Sequence, residues 1–582
     1  MTWELSLTAN RDILGFSKTA SDSSQGHWRR LNPGSVGKDQ TGMPVEGKTW
    51  VRKSRLKTWF KPYKHQQQFI DEVLKLPPKE GIIAAHGTGT GKTISSIAAF
   101  ENLKEQKKAK RALVVAPAGL RTNFLESGVQ KFTESKGVIA TSPDMEIGDD
   151  VEYVIVSYAA FRRNPKAYVE NYKPDVMIVD EAQKLHNTQG RSYKAIKEAR
   201  GKIPYFMALS ASPIQNDPSD LAPLLSLARP GDVDEQTGKV KGQHTLSKRT
   251  DINRYIKKVP SKRRGPFGGK RTEKRLVNPQ RLEKELGPNI HYLEDLDADK
   301  KPRKDAEEVT VPMSKEQKQY YKQAMEGVDP KLRAKIEAGE VDKMTKKELA
   351  LFMVRLQYAR RVSNSLHKHV PGMTLEEAAE ATPKIKKVLD DAENHLKNTP
   401  DGKIIMYTNF VEGGVDVLEA GLKARGIEYG VFAGKSRKGM TEKVRQQNVK
   451  DYKAGKKKVI LITSAGAEGL SLGNTTMVQM VDPHYNPEKM AQAEARGIRA
   501  KGLAHREKKD RVVKVKRYVT TIPKGFFDTI LLRTPPKSID QFVYLTAQSK
   551  DRINKEMRKV IQSSSDKRQK SKESIIGRLF GA

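Results

Sequence analysis

The stretch from Ile82 to Phe100, IIAAHGTGTGKTISSIAAF, constrains this chain more than any other. Ile82, Ile83, Ala84 and Ala85 read as a short buried strand. Gly87, Thr88, Gly89, Thr90 and Gly91 make a glycine-rich turn, and Lys92 and Thr93 open a helix with apolar positions at Ile94, Ile97 and Ala98. Strand, flexible turn and helix is the context of a phosphate loop. Glycines let backbone N–H groups wrap closely around phosphate oxygens, and the helix start adds unpaired N–H groups and a positive dipole end. In such a loop Lys92 reaches the β and γ phosphates and Thr93 holds Mg²⁺. His86 stands where the first glycine of the strict G-x-x-x-x-G-K-T pattern belongs, while the Gly-x-Gly-Lys-Thr core is intact. The competing reading is a glycine- and threonine-rich turn with no ligand.

The chain has 582 residues and no cysteine. That length corresponds to roughly three to five domains, and the missing cysteines exclude disulfides and thiolate-bound zinc. No apolar run approaches a membrane span, and the segment MTWELSLTANRD lacks the apolar core of a secretory signal. The expectation is an intracellular, soluble protein with no membrane partner. Lys and Arg number 108 against 70 Asp and Glu, a formal net charge of +38. Such an excess points to a polyanion, and to salt-sensitive, largely sequence-independent affinity for nucleic acid. A generic solubilising surface is the bland alternative.

Residues 1–49 are rich in Gly, Ser, Thr and Asn with little periodicity, and read as an extension. Residues 50–235 read as one doubly wound α/β unit, with strands near Ile82–Ala85, Arg111–Pro117, Tyr153–Tyr158, Asp175–Asp180 and Phe206–Ser210 separated by helical stretches. Gln66, with Gln67 and Gln68 as register alternatives, lies upstream of the phosphate loop, where a glutamine amide can recognise adenine through a donor and an acceptor. Asp180 and Glu181 end the fourth strand at the carboxyl edge, where open α/β sheets bind ligands. Asp180 is placed to hold Mg²⁺ and Glu181 to orient and deprotonate the attacking water. Ser210 and Ser212 can hydrogen-bond the neighbouring acidic motif.

Gly89-Thr90-Gly91-Lys92-Thr93, Asp180-Glu181-Ala182-Gln183 and Ser212-Pro213-Ile214-Gln215-Asn216, the last followed by Asp220 to Leu225, together resemble the motifs of superfamily-two helicases, and within them the Swi/Snf-type ATPases. The chain departs from that pattern with Gln183 where His is usual, and with Ser210-Ala211-Ser212 where many members carry Thr-Gly-Thr. Both replacements keep hydrogen-bonding capacity. The resemblance covers about residues 55–561. It implies two RecA-like, doubly wound, parallel-sheet lobes with helical protrusions between them and a C-terminal helical brace.

On that reading residues 236–310 are a basic insertion or linker. Lys248 to Arg275 holds twelve Lys or Arg and two acidic residues and reads as a loop or disordered insertion. Residues 311–382 make the helical protrusion region, entered by a strand and helix from Glu308 to Tyr321, with a long helical stretch from Lys347 to Leu366. Residues 383–520 form lobe two, and residues 521–582 a brace helix ending at Ile561 with a disordered Ser/Lys/Asp-rich tail, Ser563 to Lys572. Within lobe two, Asp482 to Pro487 resembles the family's D-x-x-W-N-P stretch with Tyr485 for Trp. Gln492, Arg496 and Arg499 fit Q-x-x-x-R-x-x-R, and arginines three apart share a helix face. The resemblance points that face across the cleft at the nucleotide.

The resemblance thus implies an ATPase using ATP and Mg²⁺ at one site between the lobes. Gln183, Ser210, Ser212 and Gly469 serve in coupling. Pro117, Ser157, Asn409, Thr463 and Ser464 lie on loops that grip the nucleic-acid backbone. The first functional reading is a monomeric motor translocating on double-stranded DNA to remodel protein–DNA complexes or branched DNA. Single-stranded DNA or RNA as partner goes with a second reading, a strand-separating helicase or an NTPase acting with RNA polymerase. A third, from another class, is a basic DNA-binding protein whose ATPase fold is vestigial.

Overall fold

The computed structural model describes residues 28–30, 50–52, 56–87, 89–233, 240–260, 272–293, 301–340, 356–434, 437, 439–464, 470, 472–498, 502–524 and 535–580. Two parallel sheets organise them.

Lobe one is built on seven strands: β1 (Gly81–His86), β2 (Ala112–Ala116), β3 (Lys136–Ile139), β4 (Val151–Ser157), β5 (Val176–Asp180), β6 (Tyr205–Ser210) and β7 (Ile290–Leu293). Their spatial order is β7-β1-β6-β5-β2-β4-β3, all parallel. The inner strands are continuous apolar runs because helices cover both faces. Side chains alternate between those faces. Ile82 and Ala84 join Phe69 of helix α1 (Lys64–Leu74) and Ile97 and Phe100 of helix α2 (Lys92–Glu105). Ile83 and Ala85 join Ile196, Leu224 and Leu225 on the other side.

Two of the seven strands were not among the five expected from sequence. β3 is a short, partly exposed edge strand, too weakly apolar to stand out. β7 comes from the segment read as a linker. It pairs with β1 from Ile290↔Ile83 to Leu293↔His86, so lobe one runs on to Leu293 rather than ending at residue 235. The basic run is likewise not wholly a loop. Arg249–Asn253 is helical, and Ile256–Pro260 pairs antiparallel with Thr272–Leu276. Lysines and arginines hid this hairpin because its strands lie on the surface, where charge is tolerated. Residues 261–271 lie outside the described residues.

Lobe two has six parallel strands: β8 (Arg303–Pro312), β9 (Ile404–Tyr407), β10 (Tyr429–Phe432), β11 (Val459–Ile462), β12 (Met477–Met480) and β13 (Val512–Thr521), in the order β8-β13-β12-β9-β11-β10. The segment assigned to a linker therefore gives one strand to each lobe. β8 leads into α3 (Lys315–Glu326), as the strand–helix pattern predicts. Of the long helical stretch, the described part is α4 (Gln357–Asn364); residues 341–355 lie outside.

Helix α5 (Pro487–Glu494) follows β12. The C-terminal helix α6 (Ile539–Phe580) is 42 residues long, about 60 Å at ~1.5 Å per residue. It starts in lobe two, where Tyr544 and Ala547 join the core, and crosses to lobe one, where Met557, Val560 and Ile561 are buried. The predicted disordered tail is helical instead. At the start of that segment Ser563 Oγ donates to Glu283 at 3.1 Å and Arg568 Nη1 to the Gly287 carbonyl at 2.7 Å, both in lobe one.

A candidate nucleotide site between the lobes

The phosphate-loop turn leaves the carboxyl end of β1. Gly89 and Gly91 have φ of 82° and 80°, a region where a side chain is strained. A Cβ on Gly91 would also meet Gln66 Nε2 at 2.5 Å. Thr90 Oγ1 donates to the Gly87 carbonyl at 2.8 Å and closes the turn. Lys92 opens α2, and its Nζ donates to the carbonyls of His86 and Gly87, both at 3.0 Å. The ammonium is thus parked on the loop's own oxygens, beside the place a phosphate would take. Thr93 is half-buried in the first turn of α2, and Thr88 lies outside the described residues. Gln66 is buried behind the turn, with Oε1 accepting from the Tyr63 N–H at 2.9 Å. That bond caps α1 and leaves Nε2 as the end of the amide facing the loop.

Asp180 ends β5 and faces Lys92. Burial, then the neighbouring Glu181 carboxylate, push its carboxyl up to about 6, against the pull of the Glu181 N–H and of Lys92. The Glu181 N–H donates to Asp180 Oδ1 at 3.0 Å. Glu181 itself has φ 52°, a left-handed conformation that is costly for a side chain of this size. Its carboxylate accepts from Gln183 Nε2.

From Glu181 an unbroken series of hydrogen bonds runs out of lobe one. Ser210 Oγ donates to Gln183 Oε1 at 2.6 Å, and the Ser212 N–H donates to Ser210 Oγ at 3.1 Å. Gln492 of lobe two donates from Nε2 to Ser212 Oγ at 3.2 Å. A second link joins Asn486 Nδ2 of lobe two to Gln215 Oε1 at 3.3 Å. Gln183 uses both ends of its amide, so the glutamine that replaces the usual histidine still relays between Glu181 and Ser210. The predicted residues Glu181, Gln183, Ser210, Ser212 and Gln492 are thus brought together.

Other predicted residues sit apart. Arg496 donates from Nη1 to the Leu470 carbonyl at 3.0 Å, within its own lobe. Arg499 and Gly469 lie outside the described residues. Ser157 ends β4, and Pro117, Asn409, Thr463 and Ser464 follow the carboxyl ends of β2, β9 and β11. Ser464 is exposed there, whereas Ser157 Oγ is used as a helix cap, accepting from the Ala160 N–H at 3.0 Å. Asn409 is held inside lobe two: its backbone N–H and its Nδ2 both donate to Asp482 Oδ2 at 2.9 Å.

Three features escaped the sequence reading. Asp220 Oδ2 accepts from the backbone N–H of Asn216 at 2.7 Å, and Arg249 Nη2 donates to Asp220 Oδ1 at 2.8 Å. That pair shapes the Ser212–Asn216 loop, but Arg249 was read as one of many charges in a basic run. Asn486 caps α5, accepting from the Glu488 N–H at 2.9 Å, and the Asn-Pro dipeptide was the available signal. His86 Nε2 lies 2.7 Å from His291 Nδ1, an association of residues 205 apart in sequence that no local pattern announces.

Comparison with known proteins decides the family. Residues 63–366 match the SNF2-related domain, and residues 385–501 match the helicase conserved C-terminal domain. The chain belongs to the SNF2-related family. It is an ATP-hydrolysing enzyme, which sets aside the vestigial reading. This SNF2-related ATPase is 23% identical over 452 residues to a protein of Acanthamoeba polyphaga mimivirus provisionally named an ATP-dependent RNA helicase, covering 77% of this chain and 86% of that one. It is 24% identical over 505 residues to the Arabidopsis thaliana protein CHROMATIN REMODELING 5, covering 81% of this chain and 26% of that one. Among solved structures, the Sulfolobus solfataricus SWI2/SNF2 ATPase core in complex with dsDNA matches at 20% identity over 87% of this chain and 98% of that one, with a TM-score of 0.35. Among the described residues, no helix of the ATPase is long and apolar enough to cross a membrane.

Proposed function

We propose that this ATPase is a motor that translocates on double-stranded DNA, coupling hydrolysis in the cleft to relative movement of its lobes. The observation that carries the reading is the series Glu181–Gln183–Ser210–Ser212–Gln492, which ties the residue beside the attacking water to the second lobe. Any rotation between the lobes must strain or break the Gln492 bond, so the state of the nucleotide and the disposition of the lobes are read by one network. The net charge of +38 supplies the attraction to a polyanion. The likeness to a protein named for chromatin remodelling favours duplex DNA.

In this reading Lys92 exchanges its two backbone carbonyls for the β and γ phosphates when ATP enters, and Gln66 faces the adenine side. Glu181, steadied by Gln183, orients the attacking water and accepts its proton. The Thr93 hydroxyl and the Asp180 carboxylate form a hard-oxygen donor pair that suits Mg²⁺, and a carboxyl pushed up by burial is one that a cation would settle. When bound, Mg²⁺ neutralises charge on the phosphates. Lobe closure turns Arg496, with Arg499, from lobe two toward the transferring phosphoryl group, where an arginine stabilises the transition-state charge.

The name of the mimivirus relative keeps one second reading in play, a motor on RNA or single strands. Steady-state hydrolysis with no nucleic acid, blunt duplex DNA, single-stranded DNA and RNA tests both, with Glu181→Gln as the inactive control. Stimulation by blunt duplex that grows with its length is expected. Stimulation confined to single strands or RNA would reject the duplex motor.

A further inference from the structure

His86 and His291 are fully buried beneath the turn that carries Lys92. They project from adjacent strands to the same face, His86 at the last position of β1 and His291 across from Ala84 on β7. Phe69 of α1 packs edge-on against both rings, at centroid distances of 5.4 and 5.7 Å. His86 Nδ1 is buried and has no partner among the described residues. A proton there would be an orphaned N–H, so the economical tautomer carries it on Nε2 and donates it to His291 Nδ1 at 2.7 Å. The main chain repeats the grip, since the Gly87 N–H donates to the Leu293 carbonyl at 3.0 Å. The oxygen that His86 presents at the strand end is one of the two that hold Lys92.

We propose that His291 is a positioning residue for ATP hydrolysis, fixing the His86 strand end from which Lys92 is delivered to the phosphates. This rests on the reading of Lys92 as the phosphate ligand. The position usually taken by a small residue is filled here by an imidazole, and an imidazole at the base of a phosphate loop must be held out of the way. β7 does this with one side chain and one carbonyl. The strand's outer edge is covered by α6, whose Ser565 Oγ accepts from the Tyr292 N–H at 3.2 Å and whose Arg568 Nη1 holds the Gly287 carbonyl. The clamp on the phosphate loop is thus itself anchored by the helix that begins in lobe two.

Burial above all, and then the titratable groups that face it, His291 on β7, Lys92 on α2 and His65 on α1, hold the His86 imidazole well below the usual histidine range. A second proton on His86 would have to sit on Nδ1, pointing an N–H into apolar surroundings while the bond to His291 stays in place. With His291 removed, the His86 ring can turn toward water and titrate nearer its ordinary value of about 6.5.

The test uses the full-length protein with saturating nucleic acid, comparing wild type, His291→Ala, His291→Asn and Lys92→Ala. Turnover and KM for ATP are measured between pH 5.5 and 8, beside thermal unfolding. Asn places an acceptor where His291 Nδ1 lies. The expectation is that His291→Ala lowers turnover about tenfold at pH 7.5 with a smaller change in KM and gains an acidic limb near pH 6.5, and that His291→Asn restores both. Wild-type turnover and pH profile in a folded His291→Ala protein would overturn the proposal. So would a loss that follows the unfolded fraction alone and is not rescued by Asn. Activity retained by Lys92→Ala would instead reject the underlying reading of the phosphate loop.

Discussion

Gln492 of lobe two donates from Nε2 to the hydroxyl of Ser212 in lobe one at 3.2 Å, four hydrogen bonds along from the Glu181 carboxylate. The bond is the point at which the carboxyl edge of one sheet meets the other lobe. Its partners are half-buried or buried, so water competes poorly for them.

Removing that bond should separate hydrolysis from movement. Ser212→Ala deletes the shared acceptor while keeping the backbone N–H that donates to Ser210. The loss of about 0.5–1.5 kcal/mol in a partly buried hydrogen bond predicts a two- to tenfold fall in nucleic-acid-stimulated turnover, with a smaller fall in the unstimulated rate. Parallel ATPase assays with and without duplex DNA decide it. Equal falls in both rates would show that Ser212 serves the chemistry and not the coupling.

Asp180 predicts a conflict between stability and activity. Its carboxyl is raised from 3.8 to about 6, so between those values the folded state binds the proton that the unfolded state has released. Asp180 is therefore least costly below pH 3.8, and its cost grows as pH rises through about 6, reaching about 3 kcal/mol at neutral pH. Asp180→Asn should remove part of that cost, raising the urea midpoint of lobe one at pH 7.5 while abolishing Mg²⁺-dependent hydrolysis. At pH 4 the two proteins should unfold at closer midpoints. A variant destabilised at both values would show that the carboxylate is already compensated.

The residues proposed to hold the nucleotide were legible along the chain because each piece is local. A phosphate loop needs its glycines, lysine and threonine within seven residues, and the pair Asp180 and Glu181 ends one apolar run. Ser210 and Ser212 were read as hydroxyls able to bond the neighbouring acidic motif, Gln183 and Gln492 were placed by resemblance, and the structure joins all four. What stayed hidden was brought together over long separations. β7 is four residues of middling hydropathy, and only the open edge of β1 gives it meaning. The serines of α6 look like a disordered tail until Glu283 and Tyr292 are set opposite them. Asn409 was placed on a nucleic-acid loop by resemblance, and nothing in its own neighbourhood announces Asp482 seventy-three residues away.

That placement of Asn409 makes a prediction of its own. Asp482 is fully buried and relies on Thr408 Oγ1 and on the N–H and Nδ2 of Asn409. Asn409→Ala takes one donor from a buried carboxylate, at a cost of about 1–3 kcal/mol. Lobe two should melt earlier, while the salt dependence of DNA binding keeps its slope, because no phosphate contact has gone. A shallower slope with unchanged melting would return Asn409 to the nucleic-acid surface.

Helix α6 predicts how firmly the lobes are tied. Met557 and Ile561 are fully buried in the core of lobe one, although their helix begins in lobe two, and Glu556 receives both Arg275 Nη1 and the Leu276 N–H at 2.9 Å. Truncating a buried Met or Ile to Ala costs about 2–5 kcal/mol. In Met557→Ala/Ile561→Ala that cost falls on the contact between α6 and lobe one, and the sheet of each lobe remains intact. The lobes should then drift apart more readily. Small-angle scattering should show a larger radius of gyration without nucleotide, protease should cut α6 sooner, and duplex-stimulated hydrolysis should fall more than the unstimulated rate. If scattering and proteolysis match the wild type while both rates drop together, α6 is not the tie between the lobes.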